Sequence, residues 1–449
     1  MSERSANKID VDVAIIGAGV AGLAATRALA DAGLTTCTLE ARDRIGGRMY
    51  TVRDERLPHA IELGAEFIHG SAPELVELAR DARLAAFTIE GSHWHPHGRR
   101  LTRADDFWAD LHKVMRYLPE KGADESFADF LDRAPGGRGA GEARTLSKQF
   151  VEGFHAAQPE KISAKALADG GAPSEDPEEQ RMMRIPAGYD GVPRWLARGL
   201  DERIMTETVV AAVEWERGSV TISARTSGGT NVSIRARAAI VTASLGVLFA
   251  PPGAPGAIVF QPVPPLLEKI RSKLTMGSVQ KVVMLFQERW WTEKLKWAPK
   301  DASLDDMSFL YGDTGDYPTW WTLHPAHLPV IVGWAGGPSA QRLTGKPYEE
   351  KRDRAIAALA KNFGVTRRRV ESQVLELWTH DWDMDPYAGG AYSYSLVGGA
   401  TAAAKFARGV DGTLWFAGEA ADAEGRNGTV NGAIGSGRAA AKGVQEALA

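Results

Sequence analysis

The chain has 449 residues, 44% hydrophobic and 24% charged, which is the balance of a soluble globular protein too long for one ordinary core, so two or three domains are expected. A formal charge of -4 lacks the basic surface that a nucleic-acid partner demands, and the single cysteine, Cys37, excludes an internal disulfide, a cysteine zinc site and a cysteine-ligated iron-sulfur cluster. The opening "MSERSANKID" has no signal-peptide core, and the longest apolar stretch, "AAIVTASLGVLFAPPG", is broken by Pro251 and Pro252, so a cytoplasmic location without a membrane partner is expected.

In chain order, "DVAIIGAGVAG" begins as a buried parallel strand and then meets Gly17, Gly19 and Gly22 in the spacing G-x-G-x-x-G. Gly17 permits the tight turn, Gly19 lets a pyrophosphate approach the backbone, and Gly22 lets the next helix press on the strand. "LAATRALADAG" reads as that helix, with Gly33 as its C-cap, and "TTCTLE" as a second strand ending on Glu40. Glu40 stands about twenty residues beyond the glycines, where a carboxylate accepts both hydroxyls of an adenosine ribose. Cys37 reads as a small core residue.

Directly after Glu40 comes "ARDRIGGRMY", completing a pattern E-A-x-x-R-x-G-G-R that resembles the FAD-binding signature of the flavin amine oxidase superfamily. The resemblance implies that Glu40, Ala41, Arg42, Gly47 and Arg48 contact FAD, with Arg48 placed to pair with phosphate. "ELGAEFIHG" resembles the loop beside the isoalloxazine in polyamine oxidases, which puts Gly64, Ala65 and Glu66 at the cofactor and lets Glu66 and His69 suit a cationic substrate. Val210, in the strand "TETVVAAVEW", matches the residue whose backbone contacts adenine. "AAIVTASLGVL" resembles the strand and turn by which the chain leaves the second part of the FAD domain.

"MGSVQKVVMLF" reads as a buried strand with Lys281 in its middle, on the same face as Val279, Val283 and Leu285. An ammonium there needs a partner, such as an ordered water. The segment resembles G-x-x-x-K-V-V-x-x-F of the superfamily, whose lysine holds a water against flavin N5. "WDMDPYAGGAYSY" resembles a segment shared by polyamine oxidases and histone-lysine demethylases, implying cofactor contacts for Trp382 and Tyr387 and an aromatic wall at Tyr392. "LWFAGEA" with "NGTVNGAIGSGRAAA" resembles the C-terminal closing motif, in which Gly418 and Glu419 bind the ribityl or pyrophosphate region and a helix N-terminus at Thr429 and Val430 faces the flavin.

Two departures narrow the resemblance. Ala391 stands where monoamine oxidases carry the cysteine bonded to flavin, which implies non-covalent FAD. Thr429 stands where a second cage tyrosine would be, as in polyamine oxidases. The expected catalytic set is therefore Lys281, Tyr392, His69 and Thr429. "HWHPHG" aligns His93, His95 and His97, but Pro96 interrupts a strand, so a solvated loop and no metal are expected. "APGGRGAGEA" reads as a flexible break between helices, and "APSEDPEEQ" as an acidic connector. The tryptophan pairs at 290 and 291 and at 320 and 321 read as core or cavity wall.

The expected fold class is α/β, with a Rossmann-like FAD-binding domain assembled from 1–75, 190–262 and 405–449, and an α+β substrate domain with a mixed sheet and helices from 76–189 and 263–404. The resemblance implies hydride transfer from the carbon beside an amine nitrogen to flavin N5, hydrolysis of the imine, and reoxidation by O2 to hydrogen peroxide, with a polyamine-type substrate. The alternatives are another oxidoreductase of the same fold, acting on a monoamine, an L-amino acid or a carbon skeleton to be desaturated, and a non-catalytic flavoprotein that binds a partner.

Overall fold

Val13, Ala14, Ile15 and Ile16 are all buried because their strand is covered on both faces: Val13 and Ile15 pack under helices, while Ala14 and Ile16 face a second apolar layer with Leu39 and Val241. The structure is a computed structural model that describes residues 7–97, 100–104, 107–134, 140–171, 176–293, 303–312 and 315–449. Strand Asn7–Ile16 pairs in parallel with Thr36–Leu39 on one side and Asn231–Val241 on the other. From the latter the sheet continues through the antiparallel strands Ser219–Thr226 and Thr208–Glu216 to Val259–Gln261, while Ile204–Met205 closes the far edge. Leu414–Phe416 joins in parallel beside Asn231–Val241, so segments from both ends of the chain share one sheet.

Helix Val20–Asp31 follows the first strand, its apolar face set by Ala24, Ala25 and Leu29. Its C-cap is Ala32 and not the predicted Gly33, which lies one residue later at φ 81° and takes the left-handed position just beyond the cap. The final helix, Val430–Leu448, lies against it so closely that a Cβ on Gly437 would sit 2.2 Å from the Ala21 carbonyl oxygen.

The second sheet has seven strands in the order Val374–Asp381, Val279–Phe286, Val330–Gly336, Thr319–Thr322, Met307–Tyr311, Ser92–His97 and Arg100–Arg103. It is mixed, since Met307–Tyr311 and Ser92–His97 run parallel and the other neighbours antiparallel. Val282, Met284 and Phe286 face a core with Trp290, Trp291, Trp320 and helix Tyr348–Asn362; Val283 and Leu285 face Leu63, Phe309 and Trp321. Helices Phe107–Met115, Phe127–Arg133 and Ala140–Phe154 form a third apolar cluster around Phe127, Phe130 and Val151.

The structure corrects three local expectations. "HWHPHG" is not a solvated loop: Ser92–His97 is a strand, and Pro96 is tolerated because it lies past Trp94, the last residue paired to Met307–Tyr311. The expected break at 134–143 is shorter than predicted, since a helix begins at Ala140, while 135–139 lie outside the described residues. In the acidic connector, 172–175 lie outside them, and Pro177–Gln180 forms a short helix capped by Asp176. Among the described residues no helix is long and apolar enough to cross a membrane, and no group of three or more His, Cys, Asp or Glu side chains could hold a metal ion.

Candidate active site

The turn after the first strand sets up one end of the site. Gly17 has φ 101°, and a Cβ on Gly22 would lie 1.9 Å from the Gly17 carbonyl oxygen, so only glycine lets the helix start this close to the strand. The helix is capped by Gly19 without a side-chain bond, which leaves first-turn N–H groups open. Glu40 is 4% exposed; its two oxygens accept from Ala18 N and Arg42 N, each at 2.9 Å, which fixes the carboxylate beside that turn.

A single cavity of about 1060 Å³ runs from this turn to the second sheet. Of the predicted residues, Gly17, Gly19, Glu40, Ala41, Arg42, Gly47, Arg48, Gly64, Ala65, Glu66, Val210, Trp382, Tyr387, Gly418, Glu419, Thr429 and Val430 border it, as do Lys281, Tyr392 and His69. Gly22 does not, because it sits behind the wall as a packing residue. An elongated space with a side-chain-free turn, open helical N–H groups and a carboxylate at one end suits the chemistry of FAD.

Midway along, Arg48 donates to Glu419 Oε1 at 2.7 Å and to the Ala391 carbonyl at 2.8 Å. Glu419 Oε2 accepts from Ser393 N (3.1 Å), Ser393 Oγ (2.6 Å) and Gly428 N (3.1 Å). Both residues are therefore spoken for by the chain itself, and order three loops around the cavity. Thr429 caps the last helix, accepting from Gly432 N at 2.9 Å and donating to the Arg426 carbonyl at 2.7 Å, so its hydroxyl is occupied with the helix end. Asp385 ties the FAD signature to the "WDMDP" segment, accepting from Arg42 at 2.7 Å and Tyr387 N at 2.9 Å and bonding His380 at 2.9 Å. Burial would raise its carboxyl, but His380 and Arg42 outweigh burial and hold it well below the usual range.

At the other end Lys281 is 2% exposed, and a carboxylate is its partner within the chain: Nζ donates to Glu66 Oε2 at 2.5 Å, with Gly64 O at 3.4 Å. Glu66 thus borders the cavity with a carboxylate that the chain itself engages. Its Oε1 accepts from Arg184 Nε at 2.9 Å and Trp321 Nε1 at 3.1 Å, so both oxygens are engaged. Burial alone would push its carboxyl up, but Lys281 and Arg184 outweigh that and hold it at about 2.

Around Lys281 the chamber is aromatic. Tyr392 donates its hydroxyl to the Phe154 carbonyl at 2.7 Å, and burial pushes its phenol up. His69 packs against Phe67 and Phe154 at ring distances of 6.0 and 5.4 Å. It is exposed to the cavity yet enclosed by the protein, which pushes its imidazole down to about 4 and leaves it neutral at physiological pH.

Arg184, Asp385 and Ser393 escaped the sequence reading. Arg184 had a legible signal, a charge closing the apolar strand Met182–Arg184, of the same kind that drew attention to Lys281.

A family model described as flavin containing amine oxidoreductase matches residues 20–111 and 95–445. The chain is 29% identical to polyamine oxidase 4 of Oryza sativa subsp. japonica, over 96% of this chain and 87% of that one. It superposes on putrescine oxidase bound to putrescine with a TM-score of 0.79 at 20% identity, covering 98% and 100% of the two chains. Cyclohexylamine oxidase from Brevibacterium oxydans gives 0.77 at 23% identity, covering 98% and 99%.

Proposed function

Because the chain belongs to the flavin containing amine oxidoreductases, enzymes whose cofactor is FAD, we propose that it oxidises a polyamine-type amine at a carbon beside nitrogen. The product imine is hydrolysed by water to an aldehyde and an amine. The observation that carries this reading is one continuous cavity with the dinucleotide cradle at one end and Lys281 among aromatic walls at the other. The likeness to a curated polyamine oxidase supports the substrate class.

When bound, FAD would supply the two-electron acceptor, with oxygen as the final oxidant and hydrogen peroxide as its product. The residues of 1–75, 190–262 and 405–449 hold it, those of 76–189 and 263–404 the substrate. The Gly17–Gly19 turn and the open helix N-terminus bind pyrophosphate, Glu40 the ribose, and the Val210 backbone the adenine. The N-terminus of Val430–Leu448, which borders the cavity, would be turned toward the ring system. Ala391 offers no thiol, so the cofactor is held without a covalent bond. Lys281 holds a water at the reactive edge, while Tyr392, Phe154 and His69 orient the amine and exclude solvent. No strong protein base is required, since the neutral amine's lone pair assists C–H cleavage.

A second reading, an amine with one cationic end and an apolar body, is favoured by the engagement of Glu66 and Glu419, which leaves both carboxylates of the wall already paired with cations of the chain. An anaerobic screen decides between them. Bleaching by spermidine or putrescine supports the first, bleaching by benzylamine or cyclohexylamine alone supports the second, and bleaching by no amine rejects both.

A further inference from the structure

Lys281, Glu66 and Arg184 come from three separate parts of the chain. Glu66 leads into strand Phe67–His69, whose antiparallel partner Met182–Arg184 sets Phe67 opposite Arg184, and Lys281 arrives on Val279–Phe286, the strand next to one edge of the second sheet. The carboxylate divides its work. One oxygen is pinned from behind by Arg184 and Trp321, and the other is left for the ammonium alone. All three side chains are at least nine-tenths buried, and together they carry one net positive charge.

We propose that Glu66 is the positioning residue for Lys281. It fixes Nζ in place and keeps it charged, so that a remaining N–H is aimed into the cavity. This rests on the reading that Lys281 stands at the flavin's reactive edge. An uncharged residue at position 66 would leave two buried cations sharing no counter-charge, and Lys281 is the one of the pair able to relieve this by giving up a proton. The other titratable neighbours are the same in every variant, so a transition that needs Lys281 is not theirs, nor that of Glu62, whose carboxyl burial raises to about 7. Glu62 accepts from Tyr189 N and Thr51 Oγ1, His59 is bonded to the Ala60 carbonyl, and His380, opposite Lys281 in the sheet register, is bonded to Asp385.

The test uses the FAD-loaded enzyme, following the visible spectrum of the bound flavin against pH in wild type, Glu66→Gln, Glu66→Asp, Lys281→Met and the double variant Glu66→Gln/Lys281→Met. Glu66→Gln should gain a pH-dependent transition that wild type and Glu66→Asp lack, and the double variant should lose it. Thermal midpoints of the same set, measured after FAD removal, serve where a variant fails to retain flavin: adding Lys281→Met should lower the midpoint far less in the Glu66→Gln background than in wild type. A Glu66→Gln spectrum that tracks wild type, a transition that persists without Lys281, or additive midpoints would overturn the assignment. Failure of the amine-oxidase reading looks different, since wild-type flavin would then resist every amine while the midpoints still reported the coupling.

Discussion

The guanidinium of Arg48 meets the carboxylate of Glu419 at 2.7 Å, although 371 residues separate them in the chain. Through Ser393 and Gly428 the same carboxylate gathers two further loops, so this one pair holds the cavity's midpoint together.

Glu419→Gln should accordingly weaken cofactor retention and stability at once. It leaves Arg48 facing a neutral amide, and breaking a largely buried pair from one side costs roughly 3 kcal/mol. The FAD-to-protein absorbance ratio of the purified variant and its melting midpoint should both fall below wild type; an unchanged ratio would separate the pair from cofactor binding.

Gly22→Ala should be far more damaging than Gly33→Ala. The first places a Cβ 1.9 Å from a backbone oxygen, whereas the second meets nothing within 4 Å and pays only for its φ of 81°. The expected losses are about 3 kcal/mol or more against about 1 kcal/mol, read from chemical denaturation of the two variants.

Lys281→Met should keep FAD bound and slow flavin reduction or reoxidation by about tenfold or more in stopped flow. Unchanged rates in both half-reactions would remove Lys281 from the chemistry. In wild type, acid precipitation should release the yellow cofactor into the supernatant, because Ala391 offers no anchoring thiol.

Flavin reduction should accelerate as pH rises through the bound amine's pKa. His69 is pushed down to about 4 and Glu66 is held at about 2, so neither wall group changes charge across the neutral range. A flat or falling profile would contradict proton loss from the amine as the controlling event.

Burial raises the Glu62 carboxyl to about 7, despite its bonds to Tyr189 N and Thr51 Oγ1. Its contribution to stability is whole below the ordinary value of 4.5 and declines as pH rises toward 7, because the unfolded chain ionises first. The melting midpoint of Glu62→Gln, relative to wild type, should therefore rise between pH 4.5 and 7 and level off above; a constant difference would place the carboxyl at its ordinary value.

Much of the fold was legible because its signals are local. The glycine turn, the doubly buried run at Val13–Ile16 and the apolar strand around Lys281 each announce themselves within about ten residues. What stayed hidden was pairing. Glu66 read as a carboxylate for a cationic substrate because no local pattern tells that Arg184 and Lys281, 118 and 215 positions away, converge on it. Thr429 read as part of the catalytic set, but its hydroxyl bonds two backbone groups of its own helix end. Pro96 misled for a related reason, since whether a proline disrupts a strand depends on which neighbour it has.

The close packing of Val430–Leu448 on Val20–Asp31 has a consequence for biosynthesis. The glycine turn leaves the ribosome ahead of the entire second sheet, and the helix that braces it follows that sheet. The nascent chain must therefore wait, with an apolar flank uncovered, until Val430–Leu448 has been made, and a premature stop ahead of position 414 would strand a polypeptide that chaperones must shelter or proteases remove.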